Sequence, residues 1–471
     1  MDGASHNPAA AIDWAVGFDT QRVRADFPIL ERRIRTLDGQ ERPLIYLDHG
    51  ASTHAPRPVI QAVTQLLETQ YANIHRGNHT LSRESSELFD DAVATFQSFV
   101  GAEADTTVTV LGQNTTMALD LAAHVLEGVP GATLTTLLEH HSNDLPHRAR
   151  GEVLHADVDA EARIRLEDVE AKLASTKVKL LAVTGASNVA GTLPPLGRLA
   201  RLAHDHGARI LVDAAQLYAH APIDRKPEGH PEHLDFLAAA GHKAYAPLGS
   251  AFLMGPRDVM DAAPPYIPGG GTVEWVTPAS ALFTKGNDRH MGGTPNIAGA
   301  VAFAAATRYL AGIGMDEVRR HEEQLIRHAL ARFGELEEAR GIRLFGPRRA
   351  SEKVGVFTFL VPGARHELVA AVLNHEHAVA TRNGCFCAHP LLHRLLGLGD
   401  TTRWTDALSR GEPVDLPGAT RASLGLYNTA ADVDALVDGL DAVARGAWKG
   451  TYDMDGGQCL LRQEKEKVVQ A

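Results

Sequence analysis

The 471-residue chain is 44% hydrophobic and 22% charged, an ordinary globular composition and too long for one simple core. Its formal charge of −12 argues against a non-specific nucleic-acid binder, because phosphate contacts need clustered Lys and Arg. Its three cysteines, Cys385, Cys387 and Cys459, contain no CxxC pair, which argues against a disulfide scaffold and for a reducing, cytoplasmic setting.

In chain order, residues 1–40 read as an N-terminal arm, and Met1 to Val23 hold no apolar segment of signal-peptide length. No run of about 18 apolar residues follows, so no membrane span is expected. From about residue 105 to 255, short β-rich runs alternate with helical periodicity: Thr106–Leu111, Ala132–Leu138, Val178–Thr184, Arg209–Val212, Leu234–Ala238 and Ser250–Met254 as strands. Thr115–Glu127 and Leu196–His206 read as helices among them. Such alternation predicts a largely parallel sheet covered by helices on both faces, with ligands beyond the carboxyl ends of its strands. After Pro295 one long helical pattern runs toward Leu336. A smaller α+β domain follows, with a strand over Lys353–Leu360 and helices over His366–Asn374 and Ala431–Ala444. The domain boundaries drawn from this are 41–300 for the large domain, 301–336 for a linking helix and 337–446 for the small domain. The stretch from Gly397 to Gly418 reads as loop, and 447–471 as a polar, mobile tail.

Four strand ends of the large domain carry chemistry. Thr115 and Thr116 open a helix after a strand, where hydroxyls and free N–H groups suit a phosphate; taken alone, such a threonine is more often an N-cap. Asp213 ends the buried run Ile210-Leu211-Val212, where a carboxylate needs a cationic partner such as a protonated ring nitrogen, with Gln216 placed to bond a ring substituent. An N-cap aspartate is the plainer alternative. Lys243, in Gly241-His242-Lys243, leaves an apolar strand end that lowers an amine pKa, as Schiff-base chemistry needs. His140, in Glu139-His140-His141-Ser142-Asn143, has an imidazole able to stack on a flat ring and move protons.

In this order these motifs resemble the class V aminotransferase family of fold-type I pyridoxal-phosphate enzymes, and within it the group II cysteine desulfurases and selenocysteine lyases. The resemblance runs from Tyr46 to Gly446. It includes Tyr46-Leu47-Asp48-His49-Gly50-Ala51-Ser52, His75-Arg76-Gly77-Asn78-His79, Ser187-Asn188-Val189-Ala190-Gly191-Thr192, Gly293-Thr294-Pro295-Asn296, Arg382-Asn383-Gly384-Cys385-Phe386-Cys387 and Arg421-Ala422-Ser423-Leu424. It implies an α/β fold with a mainly parallel seven-stranded sheet, a homodimer, and pyridoxal 5′-phosphate as cofactor. It also implies roles: Lys243 carries the cofactor, Asp213 holds its ring nitrogen protonated, Gln216 meets the phenolic oxygen, and His140 stacks on the ring. Thr115, Thr116 and His242 hold the phosphate, helped by Thr294 from a second subunit, and Asn188 sits near the ring substituents. Arg421 clamps the substrate carboxylate; Ala51, Arg382 and the His75–Arg76 segment line the site, the latter across the dimer interface. Cys387 takes sulfur from L-cysteine, leaving alanine and a persulfide that an acceptor protein can discharge.

The alternatives within the fold are a selenocysteine lyase or other C–S lyase, and an epimerase or aminotransferase that would not need Cys387. Outside it stands a non-catalytic scaffold, against which Lys243, Asp213, His140 and Arg421 all speak. The chain departs from the family pattern in three places. Ala240 stands where many relatives have serine, and residues 400–417 form an insertion. Cys385 adds a second thiol, in a Gly-Cys-Phe-Cys run like that of molybdenum cofactor sulfurases. An extended segment would turn Cys385 and Cys387 to the same side, both toward the cofactor. His230-Pro231-Glu232-His233 and His375-Glu376-His377 lack the partners of a closed zinc site, so no metal is expected.

Overall fold

The computed structural model describes residues 18–412, 414–455 and 458–462. Its centre is a seven-stranded sheet in the order Thr107–Gly112, Ala251–Pro256, Phe236–Ala240, Arg209–Asp213, Val178–Thr184, Ala132–Thr136, Val153–Ala156. Only Ala251–Pro256 runs antiparallel to its neighbours. The other strands therefore share one direction and end along one edge. Strands such as Ile210-Leu211-Val212 and Phe236-Leu237-Ala238-Ala239-Ala240 are buried on both faces, which is why they read as continuous apolar runs instead of alternating ones. The expected α/β class and its mainly parallel sheet are what the chain adopts.

The helical pattern after Pro295 is two helices, not one. Ile297–Ile313 ends at Gly314, whose φ of +91° suits glycine, and Met315–Arg340 leaves at 76° to it. The first is built of small apolar residues and packs on Thr80–Val100 and Arg57–Gln65; the second packs on Ala430–Ala444. The break therefore turns the chain from one core into another. The second core, around Phe333, Phe357 and Phe359, lies under a four-stranded antiparallel sheet in the order Arg343–Phe345, Val356–Leu360, Ala419–Ser423, Arg382–Gly384. The early chain joins it: Ile45–Tyr46 pairs in parallel with Val379–Ala380, and Asp48 bridges to Ser423.

Two stretches read as irregular have structure. Thr402–Ser409 within the insertion is a helix. In the tail, Tyr452–Asp455 pairs with Gln458–Leu461 as a hairpin laid on helix His366–His377. Leu461 is buried there, and Glu376 anchors the approach by accepting the N–H groups of Lys449 and Gly450 and the Tyr452 hydroxyl. Residues 463–471 lie outside the described part.

Lys353 is fully buried next to the domain junction, with its Nζ 4.6 Å from the Phe357 ring centre and no hydrogen-bond partner among the described residues. Burial pushes its amine down to about 7 from an ordinary 10.5. Replacing Lys353 with methionine, of similar length and no charge, is expected to raise stability by about 2–4 kcal/mol at neutral pH. Because the unfolded chain binds the proton more tightly, wild-type stability from this group rises as pH goes from about 7 toward 10.5. Denaturant unfolding of both proteins across that window checks both the size and the sign.

Candidate active site

The strand ends meet over a cavity of about 310 Å³ lined by residues from the seven-stranded sheet and from the four-stranded one. Lys243 follows Phe236–Ala240 on a single 3₁₀ turn, Asp213 closes Arg209–Asp213, and Thr115–Thr116 begin the helix after Thr107–Gly112. His140, Asn188, Gln216, His242, Ala51, Arg382, Arg421 and Cys387 reach the same space. Thr294, His75 and Arg76 do not: each is exposed away from the cavity of its own chain, and His75 is bound to Asp90 at 3.1 Å.

The cap of the Thr115–Val125 helix is Asn114, whose Oδ1 accepts the Met117 N–H at 2.9 Å. Thr115 is thereby free of capping, and its buried Oγ1 has no partner among the described residues. Thr116 Oγ1 lies 2.7 Å from Ser142 Oγ, which lies 3.1 Å from His140 Nδ1. That nitrogen also accepts the Ser142 N–H, so the His140 ring is held from one side. Burial, with Lys243 nearby, lowers His140 to about 3, so it is a neutral ring at neutral pH. Ser142 is a site residue that the motif contained but that carries no charge to announce itself.

Asp213 is 4% exposed and takes one local hydrogen bond, from the Ala215 N–H at 3.0 Å. No α-helix begins there, so the N-cap alternative does not apply. Burial raises its pKa, and the positive charge of Lys243 works in the opposite direction. Desolvation brings the Lys243 amine down to about 8, opposed by Asp213 and reinforced by Arg421. Gln216 donates from Nε2 to the Gly50 carbonyl at 2.6 Å, and its Oε1 is buried without a partner among the described residues.

The arginine pair depends on a residue the sequence did not single out. Arg382 and Arg421 are direct cross-strand neighbours, a like-charge pairing that is unfavourable on its own. Asp48 resolves it. Its carboxylate accepts from Arg421 at 3.0 Å and from Arg382 Nε at 3.1 and 3.0 Å. The Arg421 guanidinium also donates to the Asn188 carbonyl at 3.0 Å, while its Nε–H, buried, has no partner among the described residues. A fixed guanidinium with a donor to spare is suited to a carboxylate.

The cysteine segment is not extended. Gly384, Phe386 and Cys387 have φ of +109°, +57° and +54°, and the Cys385 carbonyl accepts the Ala388 N–H at 3.1 Å. Two successive non-glycine residues in the left-handed region make a strained turn, of order 1–3 kcal/mol each. It is pinned by Asn188 Nδ2 donating to the Phe386 carbonyl at 2.7 Å and by the His141 N–H donating to the Cys387 carbonyl at 2.7 Å. The consequence is that Cys387 alone opens into the Lys243 cavity; Cys385 lines a different one. The expectation that both thiols face the cofactor is therefore overturned by the turn.

The class V aminotransferase family profile matches residues 45–436. The chain is 33% identical over 440 residues to a cysteine desulfurase of Haloferax volcanii, covering 90% of this chain and 96% of that one. It is 31% identical over 438 residues to a probable cysteine desulfurase of Streptomyces coelicolor, covering 90% and 97%. Among solved structures it superposes on the cysteine desulfurase of Thermococcus onnurineus with a TM-score of 0.79 at 30% identity, covering 90% and 98%. The cysteine desulfurase CsdA of Escherichia coli gives 0.75 at 26% identity, covering 92% and 100%.

Proposed function

The chain belongs to the class V aminotransferase family, and on that premise we propose that it is a cysteine desulfurase that uses pyridoxal 5′-phosphate to convert L-cysteine to L-alanine, with the sulfur left on Cys387. The single observation that carries this reading is the thiol of Cys387 in one cavity with Lys243, Asp213 and Arg421. An epimerase or aminotransferase on the same fold has no use for that thiol.

The residues fit the cofactor. The unpartnered hydroxyl of Thr115 and the hydroxyl of Thr116 at a helix N-terminus match a phosphate, and the buried Asp213 carboxylate matches a protonated ring nitrogen. The second Nε2 hydrogen of Gln216 matches a phenolic oxygen, and the neutral His140 ring matches a stacking partner. When bound, the cofactor supplies an electron sink at the substrate's Cα. Everything else falls to the chain. Arg421, held by Asp48, binds the substrate carboxylate. Lys243, with its amine brought near neutrality, takes the Cα proton. The Cys387 sulfur attacks the substrate's sulfur; the Cβ–S bond breaks with its electron pair kept by Cβ, which takes up a proton, a persulfide forms on Cys387, and alanine leaves once Lys243 returns a proton to Cα.

The active unit in this reading is a homodimer. His75, Arg76 and Thr294 are exposed and lie off the cavity of their own chain, as residues contributed to a neighbour's site must. The hairpin Val273–Thr277 with Ser280–Phe283 presents Trp275, Val276 and Leu282 at 69%, 59% and 58% exposure, an apolar surface suited to burial against a second copy. Among the described residues no single helix is long and apolar enough to cross a membrane. The free thiols and the persulfide chemistry fit a reducing, cytoplasmic setting with a sulfur-acceptor protein.

The deciding experiment measures alanine and sulfide from L-cysteine by the purified, visibly yellow enzyme; selenocysteine and cystine as competing substrates separate the lyases. Arg421→Ala is expected to raise the KM for cysteine by roughly ten- to a hundredfold, the worth of a charge-assisted bidentate contact. Asp48→Asn is expected to raise it in the same direction by loosening both arginines. An unchanged KM in both variants would mean that the carboxylate is held elsewhere.

A further inference from the structure

In the run Glu139-His140-His141-Ser142-Asn143, His140 and Ser142 line the Lys243 cavity and His141 does not. The His141 ring meets the cysteine turn from behind. The helix His389–Leu396 that follows this turn starts without a cap of its own: Ala388 at its N-cap has no polar side chain, and Pro390 has no N–H. Its first N–H, that of His389, donates to His141 Nε2 at 3.1 Å. Two residues earlier, the Cys387 carbonyl accepts the His141 N–H at 2.7 Å. One residue therefore grips both sides of Ala388, by its backbone on one side and by its ring on the other. The His389 ring packs beside that ring, with centres 4.9 Å apart.

The grip acts where the backbone most needs one. Phe386 and Cys387 have φ of +57° and +54°, a conformation that non-glycine residues leave unless the surroundings over-determine it. Asn188 holds the Phe386 carbonyl, on the near side of the thiol; His141 holds everything on the far side. A backbone N–H can only donate, so Nε2 is the unprotonated nitrogen of His141 and Nδ1 carries the proton. Burial and the neighbouring His389 lower the pKa of this imidazole, which keeps it neutral and able to accept at neutral pH. Building on the desulfurase reading, we propose that His141 is a positioning residue for the sulfur-transfer step: by accepting the His389 N–H, its imidazole keeps the Cys387 turn in the left-handed form that presents the thiol to the Lys243 cavity. Because His141 does not line that cavity, its loss leaves cofactor and substrate binding as they are and slows only the step in which Cys387 meets the substrate's sulfur. A displacement of about 1 Å at a reacting atom costs on the order of 10²-fold in rate.

The test uses the full-length holoenzyme and three variants. The amide oxygen of glutamine stands as far along its side chain as Nε2 does in histidine, and that of asparagine only as far as Nδ1; leucine has no acceptor. His141→Leu and His141→Asn are expected to slow alanine release, and the first appearance of persulfide on Cys387 followed by quenched-flow mass spectrometry, by roughly ten- to a hundredfold. The visible spectrum of the bound cofactor and the Kd for cysteine, read from its spectral change, should stay as in wild type. His141→Gln is expected to recover most of the lost rate. Thermal unfolding of each holoenzyme runs beside the assays; should His141→Leu fail to fold, the comparison of asparagine with glutamine carries the same test. Wild-type rates in the leucine and asparagine variants overturn the proposal. An equal loss in all three assigns the effect to the bulk of the ring and overturns the acceptor role, and a lost spectrum or weakened cysteine binding moves His141 to the cofactor side and overturns it too. If wild type makes neither alanine nor any persulfide, the desulfurase reading falls and takes this role of His141 with it.

Discussion

Replacing Lys243 with alanine is expected to abolish alanine release and to remove the visible absorbance of the lysine-bound cofactor together. Two losses from one amine follow from its place. It leaves the strand edge on a single turn, faces Asp213, and is brought to about 8 by desolvation, so that a useful fraction is unprotonated at neutral pH. Among the described residues no other lysine lines the cavity to replace it. Positioned proton transfer alone is worth about 10²–10⁴-fold, and the lost attachment adds to that, so turnover should fall below detection. Absorbance spectra of equal protein concentrations, with an alanine assay beside them, check both halves. A variant that kept the spectrum and full activity would remove Lys243 from the mechanism. Folding should be retained, because the fully buried neighbours Ala239 and Ala240 continue to define the strand end.

The second large effect is expected at Cys387. Its alanine variant should keep the cofactor spectrum, since no cofactor contact is proposed for that side chain, while persulfide formation and alanine release from cysteine disappear. Selenocysteine and cystine are the informative comparison. A substrate whose C–Se or C–S bond breaks without help from a thiol would still react, and would move the assignment toward a lyase. The strained turn sharpens the expectation. With Phe386 and Cys387 both at positive φ and their carbonyls held by Asn188 and His141, Cys385 cannot simply slide into the vacated place. Persulfide analysis of Cys387→Ala therefore separates the two thiols. Sulfur found on Cys385 in that variant, with turnover intact, would reverse their order.

The strand ends of the candidate site were legible in the sequence because local physics dictates them. A run of residues buried on both faces, as at Val178–Thr184, can be little other than a strand of a covered sheet. The polar residues at or just past the end of such a run, Asp213 or His140, are then where the chain leaves the core at the ligand edge. The helix break at Gly314 and the hairpin at 452–461 were not legible: each depends on a core built by distant parts of the chain. The same holds for the site's finer chemistry. Asp48 reaches Arg382 and Arg421 across 334 and 373 residues of sequence, through a bridge to Ser423 that no local pattern announces. Asn114, not a threonine, caps the Thr115–Val125 helix, a choice made by which side chain the loop aims back at Met117. Left-handed Phe386 and Cys387 run against their own propensity, which favours the extended segment expected from sequence. Hydrogen bonds from Asn188 and His141, both on other strand ends, hold them there. Sequence alone thus determined the sheet and which residues meet at its edge. Where Cys385 and Cys387 point was left to the tertiary structure, because contacts over long sequence separations outweigh the local preference of two residues.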